Sequence, residues 1–80
     1  MKCENLMSQE VIVSYPEVTV DRLAKTMTAS NIGAIPIVVS ESDRTLVGIM
    51  TDRDIVTRVV SHGIDPRLVP AQNVMSRNLI

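Results

Sequence analysis

Two stretches of this chain carry nearly the same sequence, and this internal similarity constrains the fold more than any other feature. Residues 4–12 read E-N-L-M-S-Q-E-V-I and residues 72–80 read Q-N-V-M-S-R-N-L-I, with four of nine positions identical. Self-similarity at a fixed spacing is the sequence signature of repeated structural units. The sequence therefore predicts one repeat unit of about 68 residues, followed by the start of another.

The composition favours strands packed under helices in one small domain. Val and Ile supply 20 of the 80 residues, while Phe and Trp are absent. Such β-branched residues favour strands over a purely helical bundle. A chain of this length buries only about 60% of its unfolded surface, so its core is small and we expect a partner surface.

The charge and cysteine content exclude several functional classes. The net charge of −1 and the single Tyr offer neither a basic footprint nor stacking platforms, so nucleic acid is not an expected partner. Cys3 is the only cysteine, which rules out an intrachain disulfide or a cysteine metal cluster and fits a reducing, cytoplasmic setting. No apolar run approaches the roughly 20 residues that span a bilayer, so we expect no membrane partner.

The order of the patterns between the two similar segments predicts strand, helix, strand, strand, helix. The first helix is capped by Thr19 and ends at Asn31 and Gly33, where a left-handed conformation is often needed. The second helix begins at Thr51, buries a stripe and ends at His62-Gly63. The predicted strands are Val11–Ser14, Ala34–Val39 and Thr45–Met50, the predicted turn is Glu41–Arg44, and the predicted stripe is Ile55, Val56, Val59 and Val60.

The junction between the last strand and the second helix, Gly48–Asp54, is the densest candidate for a binding site. Backbone N–H groups at a helix start attract anions, and Thr51 adds a hydroxyl there. The Arg53 guanidinium can donate two parallel hydrogen bonds to a phosphate, and Asp54 can accept two hydrogen bonds from a ribose diol. The alternative is structural, because Thr51-x-x-Asp54 is close to a capping box. The spacing alone leaves both interpretations open.

Other candidate residues carry less chemistry. His62 has no Cys, His or acidic cluster at metal-ligand spacing, so we expect no metal site. Tyr15 before Pro16 could stack on a base, but packing on the core is the simpler role. No nucleophile with a base or acid–base pair stands out, so the sequence does not predict an enzyme.

Three segments in this order resemble the cystathionine-beta-synthase (CBS) domain, the repeat that pairs to form a Bateman module. They cover most of residues 4–63, the expected core, and residues 72–80 resemble the start of a second repeat. The resemblance implies an α+β fold, a single βαββα repeat with two helices on one face of a small sheet. We expect one repeat in residues 1–68, with a connector and the start of a second in residues 69–80. The matching segments are Asn5–Ser8, Asn31–Val38 and Leu46–Ile55.

The resemblance implies a non-catalytic regulatory module that senses AMP, ADP, ATP or S-adenosylmethionine in a cleft between paired repeats. Thr51 would meet phosphate or ribose, Asp54 would hold the ribose hydroxyls, and Arg53 would contact phosphate. The adenine wall would consist of Ile49 and the stretch Ile32, Gly33 and Ala34, with the backbone near Glu10 and Val11 reading the base edge. No prosthetic group is implied.

The family's working unit has two repeats, whereas this chain carries one repeat and the first nine residues of another. The chain is therefore either a fragment of a longer protein or half of a homodimer joined through its sheet face. The alternative function is a structural association module that binds no ligand. That module would form a stable dimer indifferent to adenine nucleotides.

Overall fold

The computed structural model describes residues 12–77, and in this range it confirms the α+β class. Short 3-10 turns follow the second helix. Val11 and the repeated segment before it lie outside the described residues. The elements are helix α1 (Val20–Ser30), strand β1 (Ala34–Val38), strand β2 (Leu46–Thr51), helix α2 (Asp52–Arg58) and the 3-10 turns Val60–His62, Pro66–Leu68 and Ala71–Asn73.

Helix α1 has the predicted ends, with two differences of detail. Thr19 occupies the N-cap position, but its hydroxyl donates to the Asp21 carboxylate instead of accepting from a backbone N–H. That hydrogen bond holds the pKa of Asp21 below its ordinary value. Asn31 ends the helix in the left-handed conformation, with φ of 56°. The prediction that Gly33 shares this conformation is wrong, since the positive φ values among the described residues belong to Asn31 and Gly63.

Strands β1 and β2 form the predicted antiparallel hairpin, each within one residue of its expected bounds. The register places Ala34 opposite Thr51 and Pro36 opposite Ile49. In the turn, the Val39 N–H donates to the Thr45 carbonyl at 3.0 Å. The hairpin carries the chain from the end of α1 to the start of α2, with a register shift between Ile37 and Val38 that interrupts the side-chain alternation.

Two prolines reduce the first predicted strand to a single bridge. Ser14 pairs in parallel with Ile37, donating to the Pro36 carbonyl and accepting from the Val38 N–H, both at 2.9 Å. The next ladder bonds on either side would need the N–H groups of Pro36 and Pro16, which proline lacks. The pairing beside β1 therefore stays one residue long within residues 12–77.

Helix α2 is shorter than predicted, and its buried stripe is narrower. Ile55 and Val59 are buried, whereas Val56 and Val60 are 56% and 59% exposed, so the predicted stripe is wrong at those two positions. Val56 lies about 100° around the helix from Ile55, and Val60 falls in a 3-10 turn after the α-helix has ended. Gly63 closes that turn as predicted, with φ of 70°.

Both helices pack on one face of the hairpin. Ile35 lies opposite Met50, and these side chains share a buried face with Ile37. The same core cluster contains residues from both helices and from the segment after them. Its members are Val20, Leu23, Met27, Ile35, Ile37, Met50, Ile55, Val59, Val69, Ala71 and Met75.

Residues 69–77 pack on the repeat that precedes them. The Val20 N–H donates to the Val69 carbonyl, and the Ala71 N–H donates to the Val18 carbonyl, both at 2.8 Å. Ser76 pairs with Ile49 through two backbone hydrogen bonds of 2.9 Å, which adds a bridge to the outer edge of β2. The division of the chain at residue 68 stays a prediction. Within the described part of the chain, no helix has the length and apolar character to cross a membrane.

Gly48 creates the space that Met75 fills, and this contact gives the first testable prediction. A Cβ at Gly48 would lie 2.6 Å from the Met75 sulfur. Because Met75 is 6% exposed and packed in the core, it has little room to retreat. We expect Gly48→Ala to lower the free energy of unfolding by about 1–3 kcal/mol, measured by urea denaturation.

The double variant Gly48→Ala/Met75→Ala is the control. It removes the clash, so its destabilisation should be smaller than the two single effects added together. Strict additivity in this cycle would show that the two residues do not interact.

Candidate functional site

At the junction of β2 and α2, Thr51 and Asp54 form a capping box, which is the structural interpretation of their spacing. The Thr51 hydroxyl accepts from the Asp54 N–H at 3.0 Å, and the Asp54 carboxylate accepts from the Thr51 N–H at 3.1 Å. Each side chain therefore satisfies a backbone donor that the helix leaves free. The box fixes the rotamers of both side chains and holds them together at the start of α2.

Asp54 is a buried carboxylate with partners from three parts of the chain. It is 7% exposed. Besides Thr51, the Ser76 hydroxyl lies 3.2 and 3.3 Å from its two oxygens. The Arg58 guanidinium lies 3.7 Å from Oδ1 and donates to the Val74 carbonyl at 2.8 Å. A buried charge is tolerated only when it is paired and hydrogen-bonded, and these contacts meet that requirement.

The hairpin register brings the predicted adenine wall next to the capping box. Ala34 pairs with Thr51, and the Asp52 N–H donates to the Gly33 carbonyl at 2.9 Å. Gly33 is exposed, and a Cβ there would lie 3.2 Å from the Asp52 carboxylate. The missing side chain thus leaves the backbone at this point open to approach.

The other predicted site residues differ in their placement. Ile49 is half-buried opposite Pro36, and Ile32 is half-buried against the core. Arg53 is exposed on α2, one residue before Asp54. Glu10 and Val11 lie outside the described residues. Thr51, Asp54, Gly33, Ala34 and Ile49 therefore form one neighbourhood, and their role in binding stays a prediction.

Sequence reasoning did not identify Ser76 and Arg58 as partners of Asp54. Arg58 follows Asp54 at the i+4 spacing of helical ion pairs, which could have indicated it. Ser76 is 22 residues away and belongs to the N-V-M-S segment that matches N-L-M-S at residues 5–8. The match indicated a repeated segment, but it did not indicate that this segment contacts Asp54.

A separate cavity of about 440 Å³ lies beside α1, and none of its lining residues belongs to the predicted site. Tyr15 lines this cavity together with Arg22 and Lys25 from the exposed side of the helix. Tyr15 is therefore half-buried here and not at the capping box. Among residues 12–77, no group of three His, Cys, Asp or Glu side chains is close enough together to hold a metal ion.

The sequence model of the CBS domain matches residues 3–61, well over half of the chain. This chain belongs to the CBS domain family, as its motifs predicted.

Relatives and solved structures agree with that assignment. YhcV, a CBS domain-containing protein of Bacillus subtilis, is 35% identical over 77 residues, which are 96% of this chain and 52% of YhcV. The crystal structure of a cystathionine beta-synthase domain protein fused to a Zn-ribbon-like domain has a TM-score of 0.74 and 37% identity, covering 89% of this chain and 97% of that one.

A more distant structural neighbour shares the fold. The CBS domain protein PAE2072 from Pyrobaculum aerophilum, complexed with AMP, has a TM-score of 0.71 and 22% identity, covering 90% of this chain and 54% of that one. The chain spans between about a tenth and a half of the length of the curated relatives it matches.

The capping box predicts a measurable loss of stability on removal of the Thr51 hydroxyl. Thr51→Ala leaves the Asp54 N–H without its side-chain acceptor, so we expect the free energy of unfolding to fall by about 1 kcal/mol. Thr57→Ala is the matched control, because the exposed Thr57 hydroxyl donates to the Arg53 carbonyl in the same helix and caps nothing. Equal denaturation midpoints for the two variants would contradict a stabilising cap.

Proposed function

We propose that this chain is a non-catalytic regulatory module that binds an adenosine ligand at a cleft between paired CBS repeats. The observation that carries the proposal is the single neighbourhood formed by Thr51, Asp54 and the open Gly33-Ala34 backbone. The AMP complex of PAE2072, a protein of the same fold, supports an adenosine ligand. Regulation is the general role of CBS domains, and it requires no acid–base or nucleophilic group here.

Each residue has a role that follows from its chemistry. The Asp54 carboxylate would accept hydrogen bonds from the ribose hydroxyls, because its rotamer is already fixed by the Thr51 N–H. The Thr51 hydroxyl would face phosphate or ribose, and exposed Arg53 would pair with phosphate. Ile49, Ile32 and the Gly33-Ala34 backbone would bound the adenine. AMP, ADP, ATP and S-adenosylmethionine differ at the end that Arg53 would face.

A second repeat is needed to close the cleft, and we propose that a second copy of the chain supplies it through the sheet face. Leu46 at the start of β2 is 48% exposed and Val39 just after β1 is 42% exposed, beside the hairpin turn. A small domain with exposed apolar side chains is stabilised by association.

We propose that the module is cytoplasmic and has no nucleic acid or membrane partner. The near-neutral charge and the single cysteine of the chain support this placement.

Ligand binding is tested by a thermal-shift titration with the four adenosine ligands, followed by calorimetry on the one that shifts the melting temperature. A ligand at 100 times its dissociation constant adds about 2.7 kcal/mol of stability. We expect Asp54→Asn to weaken binding about tenfold, since hydrogen bonds to a charged acceptor are the stronger kind. The amide oxygen of Asn can still accept from the Thr51 N–H, so the fold should persist.

Glu41→Gln is the matched control for the loss of one carboxylate charge. Glu41 is exposed in the turn between β1 and β2, away from the capping box, so its loss should leave affinity unchanged. Equal affinities for wild type and Asp54→Asn would remove Asp54 from the site. Absence of a shift with all four ligands would overturn the proposed function.

The second candidate function is a structural association module without a ligand. The observation in its favour is that Asp54 already finds its hydrogen-bond partners within the chain, at Thr51 and Ser76. A structural capping box needs nothing more. This candidate predicts an association that is stable and independent of every adenosine ligand.

Both functions involve a dimer, and two exposed residues distinguish the surface it uses. Leu46 lies on the hairpin and is 48% exposed, whereas Val56 lies on α2 and is 56% exposed. If the sheet side is the interface, Leu46→Lys should weaken the dimer about tenfold or more, since it buries an unpaired charge. Val56→Lys should leave the association constant unchanged. Sedimentation equilibrium measures both, and the opposite result would place the interface on α2.

A further inference from the structure

The segment Val74–Ser76 occupies the acceptor that the proposed ligand needs. The Ser76 hydroxyl lies 3.2 Å from Oδ2 and 3.3 Å from Oδ1 of Asp54. The Ser76 backbone exchanges two hydrogen bonds of 2.9 Å with Ile49, a residue of the predicted adenine wall. One short segment therefore contacts both the carboxylate and the wall of the candidate site.

The Ser76 hydroxyl covers the Asp54 oxygens that a ribose diol would use. An ionised carboxylate offers about four acceptor positions on two oxygens. The Thr51 N–H uses one on Oδ2, and the Ser76 hydroxyl lies across both oxygens. Asp54 is 7% exposed, with Ser76 among the groups that cover it. Two acceptor positions remain by count, but the Ser76 hydroxyl lies over both oxygens of this buried carboxylate, so a diol reaches them by displacing that hydroxyl.

The rest of the segment is anchored independently of Asp54. The Met75 side chain fills the space at Gly48 and is 6% exposed, and the Val74 carbonyl accepts from Arg58 at 2.8 Å. Loss of the Ser76–Asp54 hydrogen bond would therefore leave Val74 and Met75 in place. The Ser76 hydroxyl can therefore leave Asp54 without breaking the contacts of Val74 and Met75.

We propose that the Ser76 hydroxyl is a built-in competitor of the ligand for the Asp54 carboxylate. Ligand binding breaks the Ser76–Asp54 hydrogen bond, while Met75 stays at Gly48. This regulation rests on the proposed function, because it needs an adenosine ligand at Asp54. It makes Ser76 the residue whose side-chain contact changes when the site is occupied.

The test is calorimetry of wild type and Ser76→Ala with the adenosine ligand that shifts the melting temperature. Removing the competitor should raise affinity about three- to tenfold, the value of one intramolecular hydrogen bond. Without ligand, the same variant should be less stable than wild type, because Asp54 loses a donor. A purely structural serine would lower stability without raising affinity.

Ser61→Ala is the matched control, since the exposed Ser61 hydroxyl donates to the Thr57 carbonyl at 2.7 Å. Its affinity should equal that of wild type. If wild type binds and Ser76→Ala binds equally or more weakly, the competitor role is wrong while the proposed function stands. If neither protein binds any of the four ligands, the proposed function fails and the competitor role fails with it.

Discussion

The buried carboxylate of Asp54 is the interaction on which the rest of this fold depends. A charge that is 7% exposed must be hydrogen-bonded, and its donors come from the end of β2 and from the segment after the last 3-10 turn. Meeting that need fixes where α2 begins, because Thr51 has to sit at its N-cap. It also draws Ser76 to the edge of β2, where the two Ile49 hydrogen bonds form. One carboxylate thereby ties three separate segments together.

The second constraint is the small size of the core, which the connecting segment helps to complete. Val69, Ala71 and Met75 come from residues after the last α-helix, yet they belong to the same buried cluster as Met50 and Leu23. A chain of 80 residues has few apolar side chains to bury, so each contributes a large share of the stability. Because Gly48 has no side chain, the Met75 side chain can pack directly against the backbone of β2. The segment that follows the last α-helix is therefore also part of the hydrophobic core.

Local chemistry and the β1–β2 hairpin were predictable from the sequence, whereas the contacts of the segment 69–77 were not. Thr51 with Asp54, and Asn31 at the end of α1, act through backbone groups within four residues, so their sequence signals are direct. The exposure of Val56 and Val60 depends on where α2 stops and on which side faces the sheet. The Ser76–Asp54 contact joins residues 22 positions apart, and the repeated N-x-M-S pattern gave its residues but not its target. The sequence therefore predicted the residues of the candidate site, but not that Ser76 contacts the Asp54 carboxylate within it.

In the proposed function, the Asp54 side chain serves both in the capping box and in ligand binding. The Thr51 N–H holds Oδ2 of Asp54, so the carboxylate is ordered before any ligand arrives, and that lowers the entropic cost of binding. The remaining acceptor capacity has to be filled in the free protein, because an unsatisfied buried charge would cost stability. Ser76 contributes a single neutral hydroxyl there, beside the Arg58 guanidinium, and we expect the ribose hydroxyls to replace it. In the proposed function such a site links stability to occupancy, because the ligand replaces the Ser76 contact that Asp54 makes in the free protein.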